Sequence, residues 1–492
     1  MKKYALYILA GGMVAGTGCK KFLETTPDMR TELDTPTKVA ELLATAYPKG
    51  NYITFAEAMS DNSEDKGTND GTLVNVQPWR FEDVQDRDQD SPDNYWFQAY
   101  SAIAAANHAL AVINKQTDKA AAYRASKGEA LVARAYAHFM LVTLYAKTYD
   151  PATAASYPGV PYITEPETKV VQKYERKTVQ YVYEQIEKDL LEGMPLIDDN
   201  SYKGAPKYHF TKTAAFAFAS RFYLFKKDYA KVLQYANAAF PNGNIKPYLR
   251  QVNVASERNK EPLVKRAEYT KATTKANLLL VETTSWWARN LRGYRYGMNR
   301  NVLTKTAWSR GVSGGLWGFS FYGSEETLFT PKFEEHFVKE DINANIGIGV
   351  NVIPLFTAEE VLFNRIEANI YLGDYAAVLK DMNEFGSLRF IVNDTDNPNY
   401  DPVNHVITQD KILAFYKTND IKLGFIKTIL DFRRTEFLQE GMRWFDILRY
   451  NLPVEHVSFN LKDRYILGPD DPRRILQIPQ ESQLSGLEMN PR

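Results

Sequence analysis

Tyr223-Leu224-Phe225-Lys226-Lys227-Asp228-Tyr229-Ala230-Lys231-Val232-Leu233 returns later in the chain as Tyr371-Leu372-Gly373-Asp374-Tyr375-Ala376-Ala377-Val378-Leu379. Each copy sits between two helix-like runs, so each reads as the turn of a helix hairpin. After the turn comes an aspartate, whose charge suits the positive end of the second helix dipole. A tyrosine follows, and its ring is expected to pack on the first helix. Self-similarity of this kind marks an architecture of stacked hairpins that bury together what one alone leaves exposed.

These segments resemble the tetratricopeptide repeat, and further helical runs supply other hairpins. Asn94 to Lys115 is Ala-rich, without Pro or Gly, and opens after the start signal Ser91-Pro92. From Gly128 to Tyr149, Leu131, Ala135, Phe139, Val142 and Ala146 recur at steps of three and four, one apolar stripe on a helix that Pro151 ends. Val179 to Leu191 and Thr213 to Phe225 follow, separated by the turn-rich Asp198 to Pro206, and from Ala358 the pattern is helical again. The expected fold is mainly α, built from tetratricopeptide-like hairpins.

Between about Ile245 and Pro354 the helical period fails. Trp286, Trp287, Tyr294, Tyr296, Trp308, Trp317, Phe319, Phe321 and Tyr322 are interleaved there with Gly and Arg, which fits an irregular, loop-rich subdomain carrying a binding surface. Flat rings stack on the C–H faces of sugars or on apolar peptide side chains, while Arg and Asn supply directional hydrogen bonds. The candidate ligand-contacting rings are Trp79, Trp96, Trp286, Trp287, Tyr296 and Trp317. Core packing competes for every one of them.

Composition removes several function classes. The 492 residues hold 60 Lys+Arg against 60 Asp+Glu with no long run of one sign, so nucleic acid drops out as a partner. One cysteine cannot form an intramolecular disulfide, and the six histidines lack metal-ligand spacing, so no zinc site is expected. Gly311-Val312-Ser313-Gly314-Gly315 matches the hydrolase elbow pattern, but no β-branched strand precedes it and no helix start follows. Asp86, Asp88 and Asp90 have the spacing of a calcium loop, yet Ser91 stands where its glycine belongs and Phe97 where its closing glutamate belongs. Phosphate loops and dinucleotide fingerprints are absent, and no cofactor is expected.

The lone cysteine is explained by its flanks. Met1 to Lys3 is a positive stretch, Tyr4 to Val14 is apolar, and Ala15-Gly16-Thr17-Gly18 is a small-residue run before Cys19. This resembles a bacterial lipoprotein signal, which implies cleavage after residue 18 and acyl chains such as palmitate on Cys19. The apolar stretch is too short for a transmembrane helix. Residues 19–36, Thr-rich and broken by Pro27 and Pro36, read as a tether.

Three stretches together resemble the SusD/RagB family of outer-membrane nutrient-binding lipoproteins. The first is Gly18-Cys19-Lys20-Lys21-Phe22-Leu23-Glu24. The second is the late helical run Arg433-Arg434-Thr435-Glu436-Phe437-Leu438-Gln439-Glu440-Gly441-Met442-Arg443-Trp444-Phe445-Asp446-Ile447-Leu448-Arg449, and the third is Ile475-Leu476-Gln477-Ile478-Pro479-Gln480-Glu481.

In the late run, Glu436 and Glu440 are expected on one helix face with Arg443 in reach of Glu440, and Gly441 to permit a kink or close packing. Arg433, Glu436, Glu440, Gly441, Arg443, Trp444 and Asp446 form a structural signature rather than a ligand site.

The resemblance implies a SusD-like α-α superhelix divided into 37–244 (hairpins), 245–354 (aromatic subdomain) and 355–492 (last hairpin and C-terminal region). It also implies a non-catalytic protein on the cell surface, anchored in the outer membrane by lipid at Cys19. Such a protein captures a glycan or an oligopeptide for a SusC-like TonB-dependent barrel. Lys20 and Lys21 depart from the acidic run that often accompanies surface export. The alternatives are a lipid-anchored glycoside hydrolase on a helical scaffold and a repeat scaffold that binds only envelope proteins.

Overall fold

The computed structural model describes residues 33–69, 71–167, 169, 172–339, 341, 343, 345–393 and 399–492. The lipoprotein signal, Cys19 and most of the tether lie outside the described residues. Among the described residues, no helix is long and apolar enough to cross a membrane.

Capping chemistry sets where the helices begin. The Thr35 hydroxyl caps α1 (Pro36–Leu43), which is followed by α2 (Ile53–Ala58) and α3 (Leu73–Trp79). Ser91 caps α4 (Pro92–Ile113), with proline in its first turn. Next come α5 (Ala120–Tyr145) and α6 (Val179–Gly193). α5 is wedged between α4 and α6, and every residue from Gly128 to Tyr145 is buried. The single apolar stripe expected there is one side of a helix that faces protein all round.

The first repeat copy joins α7 (Lys212–Lys226) to α8 (Tyr229–Ala238). Short helices α9 (Ala255–Arg258), α10 (Pro262–Tyr269), α11 (Trp287–Asn290) and α12 (Arg300–Lys305) punctuate the aromatic segment. The second copy joins α13 (Ala358–Leu372) to α14 (Tyr375–Gly386), and α15 (Gln409–Tyr416), α16 (Ile421–Glu436) and α17 (Met442–Tyr450) follow.

Both repeat turns work the same way. Lys227 (φ 64°) and Gly373 (φ 81°) end the first helix in the left-handed region. The carboxylates of Asp228 and Asp374 then accept the N–H groups of Lys231 (3.2 Å) and Ala377 (3.0 Å), starting the second helix. The tyrosines after them stack one hairpin further on, rather than on the helix before. α8 packs on α13, α13 on α16, and α16 on α15, so the array propagates through both copies.

The stretch expected to be irregular contains a sheet. β2 (Asn277–Thr284) pairs antiparallel with β6 (Gly347–Thr357), and β6 with β5 (Glu335–Lys339). β2 is buried on both faces over Asn277 to Val281, so its sequence is a continuous apolar run whose period of two is invisible. Two-residue pairings tie distant loops together: β1 (Glu64–Asp65) with β3 (Tyr296–Gly297), and β4 (Leu316–Trp317) with β7 (Phe390–Ile391). A hairpin of β8 (Val454–Val457) and β9 (Arg464–Leu467) lies near the C-terminus.

The late signature is not one helix. α16 stops at Glu436, the chain turns through Phe437 to Glu440, and Gly441 (φ 70°) opens α17. Glu436 and Glu440 therefore share no helix face, and Arg443 binds Asp61 (2.8 and 2.9 Å) instead of Glu440. A Cβ on Gly441 would lie 3.1 Å from the Ile53 Cα, so the glycine serves both a positive φ and a close approach to α2. Arg433 and Asp446 pair across the turn at 2.9 Å, both buried, and Trp444 is fully buried.

Candidate functional site

The six rings singled out from sequence are not brought together. Trp79, 1% exposed, is stacked between Tyr296 (centroids 4.1 Å apart) and His456 (4.9 Å), and Tyr296 is equally enclosed. Trp96 packs edge-on against Tyr145, and Trp287 packs beside Tyr294. Trp317 is surrounded by Phe385, Phe390 and Phe432. Rings without a free face cannot stack on a ligand, so burial removes five of the six from the surface. Only Trp286, 42% exposed, presents itself to solvent.

Trp317 nevertheless starts the feature that builds a site. Side chains along an extended segment alternate sides, which puts Trp317, Phe319 and Phe321 on one side. Trp317 and Phe319 stack at 5.6 Å, and Phe321 meets Trp308 edge-on at 6.3 Å. This aromatic row climbs from the core to half-buried Phe319 and Phe321 and then to Trp308, which is 40% exposed.

Between the row and α10 opens a cleft of about 400 Å³, within the range of small-ligand pockets. Arg250 to Glu257 and α10 border one side, Gly318 to Phe321 and Thr330 to Lys332 the other, and Thr435 and Glu436 also line it. A Cβ at Gly318 would sit 2.9 Å from the Asn253 Cα, so these two strips of chain approach closely only through glycine. Lys265 of α10 bridges the cleft walls, donating to Ser320 Oγ (2.7 Å) and the Tyr322 hydroxyl (3.0 Å).

Beside the cleft lies a buried charge network. Arg250 binds Glu359 (2.8 Å), Arg389 bridges Glu359 (3.1 Å) and Glu436 (2.8 and 2.9 Å), and Lys332 and the Tyr269 hydroxyl both donate to Glu440 at 2.6 Å. Against burial, which alone would raise it, Arg250 and Arg389 hold the Glu359 carboxyl below the usual range. Burial, and then the Glu440 carboxylate, push the Tyr269 hydroxyl well up, so it stays a donor. Three cations face three carboxylates, and the walls are pre-formed and neutral.

The other acidic clusters serve the fold. Asp61 binds Arg443, and Asp65 binds Arg295 (2.8 and 2.9 Å). Asp90 accepts from Ser285 Oγ (2.5 Å) and the Trp286 N–H (2.8 Å). Ser313 is buried, and its hydroxyl accepts the Gly315 N–H at 3.0 Å, which makes a turn and not a nucleophile elbow. Among the described residues no group of three His, Cys, Asp or Glu could hold a metal.

Sequence reasoning placed Phe319 and Phe321 in the aromatic stretch but not among the site residues. It passed over Arg250, Lys265, Tyr269 and Lys332. The alternation of Trp317-Gly318-Phe319-Ser320-Phe321 was the usable signal, because it predicts one aromatic side.

Comparison with known proteins agrees with this architecture. Residues 21–224 match a family model described as "Starch-binding associating with outer membrane", and residues 324–482 match the model of the SusD family. No curated protein matches. A SusD superfamily protein from Bacteroides thetaiotaomicron shares the fold at TM-score 0.66 and 19% identity, covering 93% of this chain and 100% of that one. A SusD-like carbohydrate binding protein from Bacteroides vulgatus does so at 0.64 and 17%, covering 92% and 96%. A SusD superfamily protein from Bacteroides fragilis gives 0.66 and 17%, covering 92% and 98%. With two family models on separate stretches and one fold shared along more than nine-tenths of its length, the chain belongs to the SusD/RagB family.

Proposed function

We propose that this chain is a surface lipoprotein, acylated at Cys19, that captures an oligosaccharide in the cleft of Phe319 and Phe321 and hands it to a SusC-like TonB-dependent barrel. Residues 245–354 supply most of the ligand surface, and 37–244 and 355–492 supply the scaffold. The cleft itself carries the reading: a rigid aromatic wall faces polar groups whose charges cancel, which suits a neutral polyhydroxyl ligand better than an ion. Its function is binding without turnover. Each of its carboxylates is held by a cation, Glu257 and Glu268 by Lys260 and Glu436 by Arg389, which leaves no acid–base pair free to act on a glycosidic bond.

A glycan and peptide array on the soluble form, followed by titration of the best hit, tests the ligand class. Glycan binding that weakens in Phe319→Ala supports the reading. Peptide binding alone would move the ligand class to oligopeptides, and turnover of a bound glycan would sink the non-catalytic assignment. Cys19→Ala should leave the body folded and release it from the membrane fraction.

A further inference from the structure

A second opening lies where the C-terminal segment crosses the helical body, and it shares no residue with the aromatic cleft. Its larger part, about 410 Å³, runs between Ala146–Asp150 and Asp470–Ile475. A smaller part of about 170 Å³ continues beneath Tyr229, Tyr371 and Tyr450. Thr148, Tyr149, Lys227 and Arg449 line both.

The chemistry of this groove is again aromatic and charge-balanced. The Tyr149 ring packs at a tilt against Tyr183, with centroids 4.4 Å apart, so it is held from one side. Lys147 sits 4.2 Å from the centroid of the Tyr157 ring, donates to its hydroxyl (3.1 Å) and reaches Asp470 at 3.4 Å. Lys227 pairs with Asp150 at 2.7 Å. Two tyrosine-flanked cation–carboxylate couples thus present donors and acceptors side by side without net charge.

Arg449 fixes the floor shared by both parts of the groove. The Arg449 side chain is 6% exposed, and its terminal nitrogens are taken by Glu367 (2.6 and 2.9 Å) and Asp446 (2.8 Å). The guanidinium is therefore held rigid beneath the groove, and the tyrosines and the two couples stand on a pre-formed floor.

We infer that this groove is a second oligosaccharide subsite, binding a neutral sugar chain through Tyr149, Tyr157 and the Lys147–Asp470 and Lys227–Asp150 couples. The inference rests on the glycan reading of the chain but not on the aromatic cleft. Two sites on one rigid body would let the protein hold a polysaccharide at two points, raising avidity without tightening either site.

The test is calorimetric titration of the purified full chain with maltohexaose, xylohexaose and mannohexaose. Phe319→Ala reports on the cleft, and Tyr157→Ala and Lys227→Ala report on the groove, since neither groove residue is buried. Expected is a hexaose that still binds Phe319→Ala, with that remaining affinity dropping about tenfold in the Phe319→Ala/Tyr157→Ala double variant. If Phe319→Ala abolishes all binding and both groove variants titrate like the parent, the second subsite is wrong and the cleft stands. Loss in the groove variants with Phe319→Ala unchanged overturns the cleft and keeps the groove. A parent that binds none of the three at millimolar concentration overturns both.

Discussion

The phenol ring of Tyr229 lies flat on that of Tyr371, with centroids 4.1 Å apart and planes 4° from parallel. Tyr229 follows the capping aspartate of the first repeat copy, and Tyr371 opens the second. Tyr375, which follows the capping aspartate of the second copy, stacks in the same way on Phe425 of α16, at 5.0 Å and 3°. The conserved spacing within each copy is therefore a device between hairpins: the aspartate starts a helix, and the next residue anchors it to the neighbouring hairpin. Removing the ring in Tyr371→Ala should cost about 2 kcal/mol, because a half-buried aromatic and its contact with Lys422 are lost. A double-mutant cycle with Tyr229→Ala, read by calorimetric melting, should return a coupling of about 1 kcal/mol. Additive effects would show that the stack contributes nothing of its own.

Glycine carries two separable duties in this chain. Gly373 has open space around it, so Gly373→Ala meets only the cost of a positive φ, about 1 kcal/mol. Gly441→Ala meets that cost and also the backbone of α2, and should lose roughly 2 to 3 kcal/mol. Comparable losses in thermal melts of the two variants would mean that α2 yields readily to the extra methyl.

The helical body was legible from sequence because its signals are local. Ser91-Pro92 opens α4 and Ala358 opens α13, as the punctuation predicts. The same local reading runs Arg433 to Arg449 as one helix, because nothing within that segment reveals that Gly441 turns where α2 presses against it. The site was less legible for a related reason. Tryptophan was the signal followed, but Trp79, Trp96 and Trp287 serve the core, and the part of the row that lines the cleft is Phe319 and Phe321, whose role depends on where Trp317 is buried. Lys332 and Glu440 are 108 residues apart in sequence, so no spacing rule could pair them.

The buried charge network predicts an asymmetry between two substitutions. Arg389→Ala leaves Glu436 without its ion-pair partner and Glu359 with Arg250 alone, and should cost about 3 to 5 kcal/mol, enough to lower soluble yield. The double change Arg389→Met and Glu436→Gln removes one charge of each sign, keeps the Arg250–Glu359 pair, and should recover much of that loss. Equal melting temperatures for the single and double variants would show that lost packing, not unpaired charge, sets the cost.

A pH dependence follows from Glu57. Its carboxylate accepts the N–H groups of Gln439 (2.8 Å) and Gly441 (2.9 Å), gripping the turn before α17. Burial outweighs those bonds and pushes its pKa up to about 7, from an ordinary 4.5. Between those values the folded chain binds more protons than the unfolded chain, so this group's contribution to stability falls as pH rises from about 4.5 to 7. At full size the change is on the order of 3 kcal/mol. Asp61 acts in the opposite direction and at lower pH. Despite burial, Arg443 and Arg434 hold it at about 2, so its contribution is lost as pH falls from 3.8 towards 2. Melting temperatures of parent and Glu57→Gln across pH 4.5 to 7.5 should converge at the acid end for this reason and separate as pH rises. Parallel curves would place the Glu57 titration outside this window.

The decisive contrast for the site is between rings that look alike in the sequence. Trp79 lies between Tyr296 and His456 and its indole N–H donates to the Ser63 carbonyl, so Trp79→Ala should lower the melting temperature while leaving the affinity of the remaining folded protein near that of the parent. Phe321 is half-buried at the rim, touching Trp308 and the cleft, so Phe321→Ala should melt within about 1 kcal/mol of the parent yet lose roughly fivefold or more in glycan affinity. Both measurements on both variants are needed, since either one alone confuses a damaged fold with a damaged site. The reverse pattern, affinity lost in Trp79→Ala and kept in Phe321→Ala, would move the binding surface to the loops around Tyr296, where the β1–β3 pairing and the exposed Phe459 would become its framework.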